Sequence, residues 1–423
     1  MSSAMKSVPH LGKIPTDWKL GRIYDVVDAL ESGISVNGHA RTPSDDEPAV
    51  LKVSAVTYGT FNQSASKPIL GNDLKRAKCT PKSGQVIISR ASGSAKHVGA
   101  CAYVDRDYPN RYLSDKLWQT VTKAECKVST KWLLYVLASA RIKEKIRNLA
   151  TGTNIKNITK EEFLSLPIGI PTFDEQCTIA NLLSTWDEAI EKTEQLIQAK
   201  TIQYKHIVRE LIKRTACHEE IELKQFAEPI NTKNSVGDKN VLTSSARDGL
   251  ISQLEYYNKS VSAEDVSGYY RIEKGDFAYN RSSATGYPFG AIKRLDRYQS
   301  GVLSTLYLCF RLTNMERVDS SYLGDLFEAG VLNGQLRRVC QAGARSHGLL
   351  NITKADFFSL KVPLPSIEAQ REIATKLGLA RKEIEFLGGL KEKYTEQKRG
   401  LMQKLLTGEW RVNTDQKETD TCA

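Results

Sequence analysis

The sequence contains one segment twice, and this repeat limits what the chain can fold into more than any other feature. Residues 157–183 recur as residues 351–377 without an insertion, at a constant spacing of 194 residues (351 minus 157). Both copies open with Asn-Ile-Thr-Lys, at Asn157–Lys160 and Asn351–Lys354. Because this spacing is nearly half of the 423 residues, the repeat predicts one module made twice. Two copies of a module can form a pseudo-two-fold arrangement that offers two similar surfaces at a fixed separation.

Each half of the chain has a β-rich segment followed by a long helical pattern. The segment Gly84–Ser92 aligns with Gly275–Ser283, and each contains a short run of strand-forming residues. Apolar residues recur at helical spacing near residues 130–148 and 321–339, which predicts short helices there. Each half is therefore expected to hold an α+β domain of roughly 150 residues, a size that suits a single core.

Two pairs of repeated residues have structural rather than functional interpretations. Gly84 and Gly275 each stand before a strand and are expected to form turns with positive φ. Thr159 and Thr353 are expected to begin short helices as N-caps, with a buried phenylalanine four residues later in each copy.

The long helical patterns, over residues 175–212 and 370–406, place apolar residues at alternating spacings of four and three. So narrow a stripe is typical of a coiled-coil seam, and about 40 residues at ~1.5 Å each would make a rod of roughly 60 Å. The predicted seam positions are Ile179, Leu183, Trp186, Ile190, Ile197, Tyr204, Ile373, Leu377, Ile384, Leu387, Tyr394 and Leu401. We expect the two helices to pair in antiparallel fashion, the alternative being that each packs flat on its own domain. Gly388-Gly389 interrupts the second pattern, which leaves open a kink or a close contact.

Charge and cysteine content narrow the class of protein. The formal net charge of +11 favours a polyanionic partner, although a generically basic protein is the alternative. The 8 cysteines form no C-x-x-C pair, so we expect reduced thiols rather than a zinc cluster or a disulfide framework. Residues 1–19 lack the apolar core of a signal peptide, and no stretch approaches ~18 apolar residues. We therefore expect a soluble, cytoplasmic protein that makes no membrane contact.

The order of the duplicated motifs resembles that of a known family. A Pro-x-x-x-x-Gln segment precedes each long helix, at Pro171–Gln176 and Pro365–Gln370, and the first of them ends in Glu-Gln. With the opening Ile14–Trp18, the pattern extends from about residue 14 to residue 410 and resembles the specificity subunit of type I restriction–modification enzymes. The second copy departs from the family pattern at Ala369, where the family usually has glutamate.

The resemblance implies an α+β fold with two tandem target recognition domains and two long helices forming an antiparallel coiled coil, as a pseudo-two-fold internal repeat. The expected boundaries are 1–156 for the first recognition domain, 157–216 for a conserved region with the first spacer helix, 217–350 for the second recognition domain, 351–412 for the second conserved region and helix, and 413–423 for a polar tail. It also implies that each recognition domain reads one half of a bipartite, asymmetric target in double-stranded DNA. The helices would set the gap and dock two methyltransferase subunits, and motor-nuclease subunits would join the full complex.

A protein that reads DNA needs cations for phosphate and polar groups for base edges, and three matching pairs of segments supply both. The candidate DNA-binding residues are Ser54, Thr57, Tyr58, Ser89, Arg90, Ser92, Lys96, His97, Thr153, Asn154, Lys156, Ser245, Arg247, Asn280, Arg281, Ser282, Ser283, Tyr287, Arg345, Ser346 and His347. Arg90 and Arg281 align with each other and suit bidentate contact with guanine or a clamp on phosphate. The alternatives are an arginine that caps a helix or pairs with a carboxylate, and ordinary polar turns.

The sequence carries no motif typical of catalysis. It has no G-x-x-x-x-G-K-[ST] loop, no H-E-x-x-H and no Asn-Pro-Pro-Tyr-type tetrad. We therefore expect no catalytic residue, metal or cofactor in this chain, and the resemblance implies S-adenosylmethionine, ATP and Mg²⁺ in partner subunits. Competing hypotheses are an enzyme with an unrecognised site, the recognition subunit of a related phage-defence methylation system without a nuclease, and a coiled-coil scaffold that binds only proteins.

Overall fold

The computed structural model describes residues 4–9, 11–214, 220–245, 248–257, 262, 264–284, 286–342 and 350–413. The chain forms two compact units. Unit 1 comprises Met1–Thr193 and Leu390–Ala423, and unit 2 comprises Glu194–Gly389. Both boundaries fall inside a long helix, so each unit contains a part of both long helices.

Unit 1 has thirteen described strands: β1 Met5–Val8, β2 Gly12–Pro15, β3 Lys19–Arg22, β4 Val27–Ser32, β5 Ala49–Leu51, β6 Ser66–Pro68, β7 Val86–Ser89, β8 Ala91–Ser92, β9 Cys101–Tyr103, β10 Arg111–Tyr112, β11 Leu117–Thr122, β12 Lys156–Asn157 and β13 Pro167–Ile170. Its helices are α1 Gly71–Leu74, α2 Thr130–Ala138, α3 Ala140–Leu149, α4 Lys160–Leu164 and the first part of α5 Phe173–Arg214. The last part of α10, defined below, completes the unit.

Unit 2 repeats this order. Its described strands are β14 Glu220–Glu222, β15 Ala227–Pro229, β16 Leu242–Ser245, β17 Gly249–Ser252, β18 Tyr270–Glu273, β19 Phe277–Asn280, β20 Ala291–Arg294, β21 Ser300–Leu303, β22 Tyr307–Leu312, β23 Gln341–Ala342, β24 Leu350–Asn351 and β25 Lys361–Pro363. Its helices are α6 Gln253–Tyr257, α7 Ser320–Glu328, α8 Asn333–Val339, α9 Lys354–Phe358 and α10 Ile367–Leu406.

The central sheets of the two units have the same topology. In unit 1 the strand order is β4-β11-β7-β9, and in unit 2 it is β15-β22-β19-β20, with every neighbour antiparallel. The central strands β7 and β19 are buried on both faces, because alternate side chains enter different cores. Val86 and Ile88 pack against α2 and α3, whereas Ile87 packs against Ala55 and Val56. The duplicated α+β fold predicted from the sequence is thereby confirmed.

The repeated structural residues take the places expected of them. Gly84 and Gly275 have φ of 77° and 94°, and a Cβ would have little steric freedom at such angles. Thr159 and Thr353 are the N-caps of α4 and α9, each accepting a hydrogen bond from the backbone N–H three residues later. Both of the phenylalanines that follow are fully buried.

Each predicted short helical region is in fact two helices. In unit 1 Ser139 ends α2 and begins α3, because its extended backbone stops one helix while its Oγ accepts the Ile142 N–H of the next. In unit 2 Gly330, with φ of 73°, follows α7 and separates it from α8. The helical periodicity correctly predicted helices in both regions. It did not reveal the break, because the apolar pattern continues from the first helix into the second in each unit.

The long helices pair in antiparallel fashion in unit 1. The Trp186 and Tyr394 rings lie 5.7 Å apart with their edges in contact, and Lys398 binds Asp187. The end of α10 enters the core, where Leu405 lies in the same cluster as Ile179, Ala180 and Leu183 of α5. Tyr394 thus lies beside residue 186 and Leu405 beside earlier residues of α5, so residue numbers rise along α5 as they fall along α10.

Unit 2 shows the same relation between its own parts of α5 and α10. Lys200 lies 2.8 Å from Glu383, while Tyr204 and Arg381 both approach Asp325 of α7. The core of this unit contains residues from both helices, among them Tyr204, Ile373 and Leu377. The predicted antiparallel coiled coil is thus confirmed, and the ends of its helices also pack on the globular parts.

The glutamine of each Pro-x-x-x-x-Gln motif is a buried connector. Gln176 Nε2 donates to the Pro171 carbonyl, and its Oε1 accepts from the backbone N–H of Ser129, the N-cap of α2. Gln370 makes the equivalent bonds to Pro365 and to Asp319, the N-cap of α7. The motif therefore fixes the start of each long helix to the start of a helix in the globular part.

Three remaining expectations can be compared with the structure. Helix α10 runs through Gly388-Gly389 as one α-helix, and a Cβ on Gly389 would meet nothing within 4 Å, so Gly389 makes no close contact. Cys79, Cys101, Cys126, Cys309 and Cys340 are free thiols, whereas Cys177 is in a disulfide, against the expectation of reduced cysteines throughout. Among the described residues, no helix is long and apolar enough to cross a membrane.

Candidate nucleic-acid interface

In unit 1 the structure brings two of the predicted DNA-binding segments together. The first follows central strand β7, and the second is the turn that leads from α3 to α4. Strand β8 pairs with β12, so that Ser92 lies opposite Lys156 and Ala91 lies opposite Asn157. The backbone carbonyl of Arg90 accepts the N–H of Ile158, which closes the junction.

Arg90 has the environment of a pre-positioned but unpaired cation. Its guanidinium carbon lies 5.9 Å from the centre of the buried Trp118 ring, within the range of a cation–π contact. Its Nε is buried, and no described residue provides a hydrogen-bond acceptor for it. The side chain is therefore held by stacking. Because the Nε is buried, a contact with DNA would have to come from the terminal nitrogens of this half-buried side chain.

Other predicted residues of unit 1 divide into buried and exposed groups. The Ser89 side chain is fully buried, and its hydroxyl donates to the Ala91 carbonyl. Ser92 is nearly buried and accepts the N–H of Ser94. These two hydroxyls shape the loop, and they are not exposed for contact with bases in this conformation. Exposed or half-buried positions are occupied by Lys96, His97, Thr153, Asn154 and Lys156.

The third predicted segment of unit 1 lies on the other face of the central strand. Ala55 and Val56 anchor it in the cluster that contains Ile87. Ser54 is exposed, and the Thr57 hydroxyl donates to the Val53 carbonyl. Tyr58 is 85% exposed, which leaves its ring open to a partner.

In unit 2 Arg281 contacts strands that are distant in sequence. Its Nε donates to the Leu306 carbonyl at 2.9 Å, and its own carbonyl accepts the N–H of Leu350 in β24. The preceding residue, Asn280, pairs with Tyr307, whose hydroxyl accepts the backbone N–H of Ser244 in β16. Two of the predicted segments, those of β16 and β19, are thereby linked through Tyr307 beside this half-buried arginine.

The remaining predicted residues of unit 2 have varied positions. Ser245 is buried and bonds to Asp248 in the turn between β16 and β17. Tyr287 donates to Glu328, which also binds Lys293 at 2.5 Å, and burial raises the pKa of this tyrosine. Ser282 and Ser283 are exposed and Asn280 is half-buried, so all three lie at the surface around Arg281. Arg247, Arg345, Ser346 and His347 lie outside the described residues.

Sequence reasoning missed several residues that contribute to these surfaces. Trp118, which stacks under Arg90, belongs to the strand beside the central one, and Leu306, which accepts from Arg281, immediately precedes the matching strand of unit 2. Lys116 and Leu306 occupy equivalent places, because Leu117 pairs with Ser89 as Tyr307 pairs with Asn280. The Lys116 carbonyl accepts the backbone N–H of Arg90, whereas the Leu306 carbonyl accepts the side-chain Nε of Arg281.

Comparison with known proteins shows what the chain as a whole is similar to. Residues 15–200 match the model of the type I restriction modification DNA specificity domain. The chain is 23% identical over 421 residues to a Methanocaldococcus jannaschii protein provisionally named the MjaX type I restriction enzyme specificity subunit, with 96% of both chains covered. The chain is thus similar over nearly its whole length to a type I restriction–modification specificity subunit, and its first half matches the DNA specificity domain of that family.

Further comparisons give similar results. The MjaVIII type I restriction enzyme specificity subunit of M. jannaschii is 24% identical over 327 residues, covering 70% of this chain and 74% of that protein. The crystal structure of the type I restriction–modification S subunit from M. genitalium has a TM-score of 0.55 at 14% identity, covering 96% of this chain and 99% of that one. A chain from a structural study of complex assembly in the type I system has a TM-score of 0.51 at 15% identity, covering 94% of this chain and 100% of the other. The two structures support the fold alone, and the similarity to specificity subunits rests on the sequence relatives.

Proposed function

We propose that this specificity subunit recognises a bipartite, asymmetric target in double-stranded DNA, with one half-site read by each unit. The observation that carries this proposal is the repeated position of Arg90 and Arg281. Each arginine follows the last residue of a central strand and lies on a surface to which separate polar segments contribute. Arg90 donates its backbone N–H, and Arg281 its side-chain Nε, to the backbone carbonyl of the residue just before the neighbouring strand. Arginine at such a place suits guanine or phosphate, and the net charge of +11 favours a polyanion.

We further propose that the paired helices set the gap between half-sites and dock two methyltransferase subunits. Motor-nuclease subunits join these in the full complex, which acts in the cytoplasm. The specificity subunit itself is non-catalytic, and S-adenosylmethionine, ATP and Mg²⁺ are bound by its partners. Support comes from the sequence similarity to type I restriction–modification specificity subunits.

The first experiment measures DNA affinity over a series of salt concentrations, with the full chain alone and with methyltransferase subunits. Phosphate neutralisation predicts that log K falls linearly with log salt, with a slope of about −0.9 per phosphate contact. Absent or salt-insensitive binding, even with methyltransferase subunits present, would instead identify a protein scaffold.

The second experiment incubates the pure chain with DNA, Mg²⁺ and S-adenosylmethionine. We expect neither methyl transfer nor cleavage until partner subunits are added. Turnover by the chain alone would show that it is an enzyme and would refute the non-catalytic role. The target sequence itself is identified by mapping the modified adenines in host DNA.

A further inference from the structure

Unit 2 exposes apolar side chains next to Arg281. Leu306 is 56% exposed in the turn before β22, and Tyr257 is 45% exposed at the end of α6. The ring of Tyr256 meets that of Tyr257 edge to face, with centroids 4.7 Å apart. Single exposed apolar residues need no explanation, but a group of them beside a functional surface points to an interaction.

Both Leu306 and Tyr257 are connected to the Arg281 surface. The Leu306 carbonyl accepts the Arg281 Nε hydrogen bond, so the leucine is held at the arginine by direct contact. The next residue, Tyr307, pairs with Asn280 in the sheet. The Tyr307 hydroxyl accepts the Ser244 N–H of β16, which pairs with β17, and β17 leads directly into α6 with Tyr257 at its end. The apolar side chains therefore belong to elements that adjoin the proposed DNA surface.

The one carboxylate of α6 is already neutralised by neighbouring residues. Glu255 lies 3.1 Å from Arg297 and accepts the Tyr298 hydroxyl at 2.7 Å. Its negative charge is thus paired within unit 2 and does not oppose the approach of a polyanion.

Unit 1 has different chemistry at the same places. Lys116 stands where unit 2 has Leu306, because Leu117 pairs with Ser89 as Tyr307 pairs with Asn280. At the spacing that aligns Gln63 with Gln253, the residues in place of Tyr256 and Tyr257 are Ser66 and Lys67. These two residues lie in strand β6 instead of a helix, and Ser66 is fully buried. Unit 1 therefore has a lysine in place of the exposed leucine and no pair of tyrosines at the aligned positions.

We propose that Leu306 and Tyr257 contact thymine methyl groups in the half-site read by unit 2, and are specificity-determining residues there. The C5-methyl of thymine is the apolar group that a base pair presents in the major groove, so it is the natural complement of an exposed leucine beside a base-reading arginine. Unit 1 cannot make the contact proposed for Leu306, because Lys116 stands at the equivalent position. This inference rests on the proposed function.

The test replaces single thymines by deoxyuridine, which removes the methyl group and leaves base pairing intact. The full chain, assembled with its methyltransferase subunits, is bound to duplexes that carry one replacement at a time in each half-site. We expect a loss of about fourfold in affinity at one or more thymines of the unit 2 half-site, the fold-change that corresponds to ~0.8 kcal/mol for a buried methyl-sized group. Replacements in the unit 1 half-site should have no effect.

Variants then connect the loss to the named residues. Leu306→Ala should weaken binding to the thymine duplex and abolish its preference over the deoxyuridine duplex. Tyr257→Phe keeps the apolar ring and should behave as the parent, whereas Tyr257→Ala should not. Met315→Ala removes another exposed apolar side chain of unit 2 and serves as the matched control.

The outcomes separate this inference from the proposed function. Sequence-specific binding that is equally insensitive to deoxyuridine in both half-sites, or a half-site for unit 2 without thymine on either strand, would overturn the methyl contact and leave DNA recognition intact. A Leu306→Ala variant that binds DNA normally but loses methyltransferase subunits would mean that the surface binds protein. Failure of the parent complex to bind DNA at all would contradict the proposed function itself.

Discussion

Removing the Tyr204 hydroxyl should destabilise unit 2 far more than the matched change destabilises unit 1. In unit 2 the hydroxyl donates to Asp325 Oδ1 at 2.7 Å, and Asp325 is fully buried. Arg381 Nε lies 3.2 Å from the same oxygen, but the geometry is not that of a hydrogen bond, and both this Nε and Asp325 Oδ2 lack hydrogen-bond partners among the described residues. Tyr204 therefore supplies the carboxylate with the only side-chain hydrogen bond that the described structure gives it.

Unit 1 contains a comparable tyrosine, Tyr135, whose hydrogen-bond acceptor is exposed to solvent. Tyr135 donates to Asp187 Oδ2 at 2.8 Å, and Asp187 is also ion-paired with Lys398 and has a side chain that is 49% exposed. A hydrogen bond to a buried charged group contributes about 1.5–3 kcal/mol, because its loss leaves that group unsatisfied. For a solvated carboxylate water replaces the hydroxyl, so the loss should be within about 1 kcal/mol. We expect Tyr204→Phe to exceed Tyr135→Phe by about 1–2 kcal/mol.

The measurement must separate the units, because a chain with two compact units need not unfold in one step. Native-state hydrogen exchange resolves the opening free energy of individual segments. Tyr204→Phe should lower the protection of α7 and of residues 367–389 in α10, while Tyr135→Phe should lower that of α2 only slightly. Urea unfolding followed by far-UV circular dichroism provides the global comparison. Equal losses in the two variants, or a larger loss from Tyr135→Phe, would refute the argument that burial of the acceptor sets the size of the effect.

Three further predictions follow from the same contacts. Arg281→Ala should weaken discrimination at one half-site by about 1–3 kcal/mol and leave the other intact in a competition binding assay; an equal loss at both halves would contradict modular reading. Adding one heptad to both long helices lengthens each by about 10 Å, so the tolerated gap should change by roughly 3 base pairs while the bases read stay the same; methylation mapping with an unchanged gap would show that the helices are not the spacer. Burial raises the pKa of Asp325 above its ordinary 3.8, so its contribution to stability is present below that value and is lost as pH rises through the folded-state pKa. Relative to Asp325→Asn, the parent should therefore lose stability as pH rises through this range in urea titrations, and parallel pH profiles would contradict the assignment.

Periodicity predicted the fold because it depends on many residues at once. The alternating spacing along residues 175–212 and 370–406 specifies one apolar stripe on each helix, and no single contact needs to be known. The N-caps Thr159 and Thr353 were equally accessible, because a cap bonds to the backbone three residues away. Predictions of this kind concern interactions that are local in sequence.

The candidate site was harder to predict, because neighbouring side chains at the end of a strand can differ completely in their exposure to solvent. Ser89 and Arg90 are neighbours in one loop, yet the serine is fully buried and the arginine is stacked on Trp118 with an unpaired Nε. Composition cannot separate the two, since both residue types are common in DNA-binding loops. Leu306 has no motif at all, and its position emerges only when the strand beside Arg281 is known.

The contrast between Glu175 and Ala369 shows how two copies of one module diverge through their long-range partners. Glu175 is almost fully buried because it accepts from Trp18 Nε1 at 3.0 Å and binds Arg411 at 2.7 Å. Arg411 also binds Asp17, so residues from near the two ends of the described chain meet at this one carboxylate. A buried glutamate without such partners would be strongly unfavourable. Alanine at position 369 avoids that penalty, while the adjacent Gln370 keeps the same connecting bonds as Gln176. The glutamine is required in both copies because its partners are local to the module, whereas the glutamate is stable only where distant parts of the chain supply the matching charge.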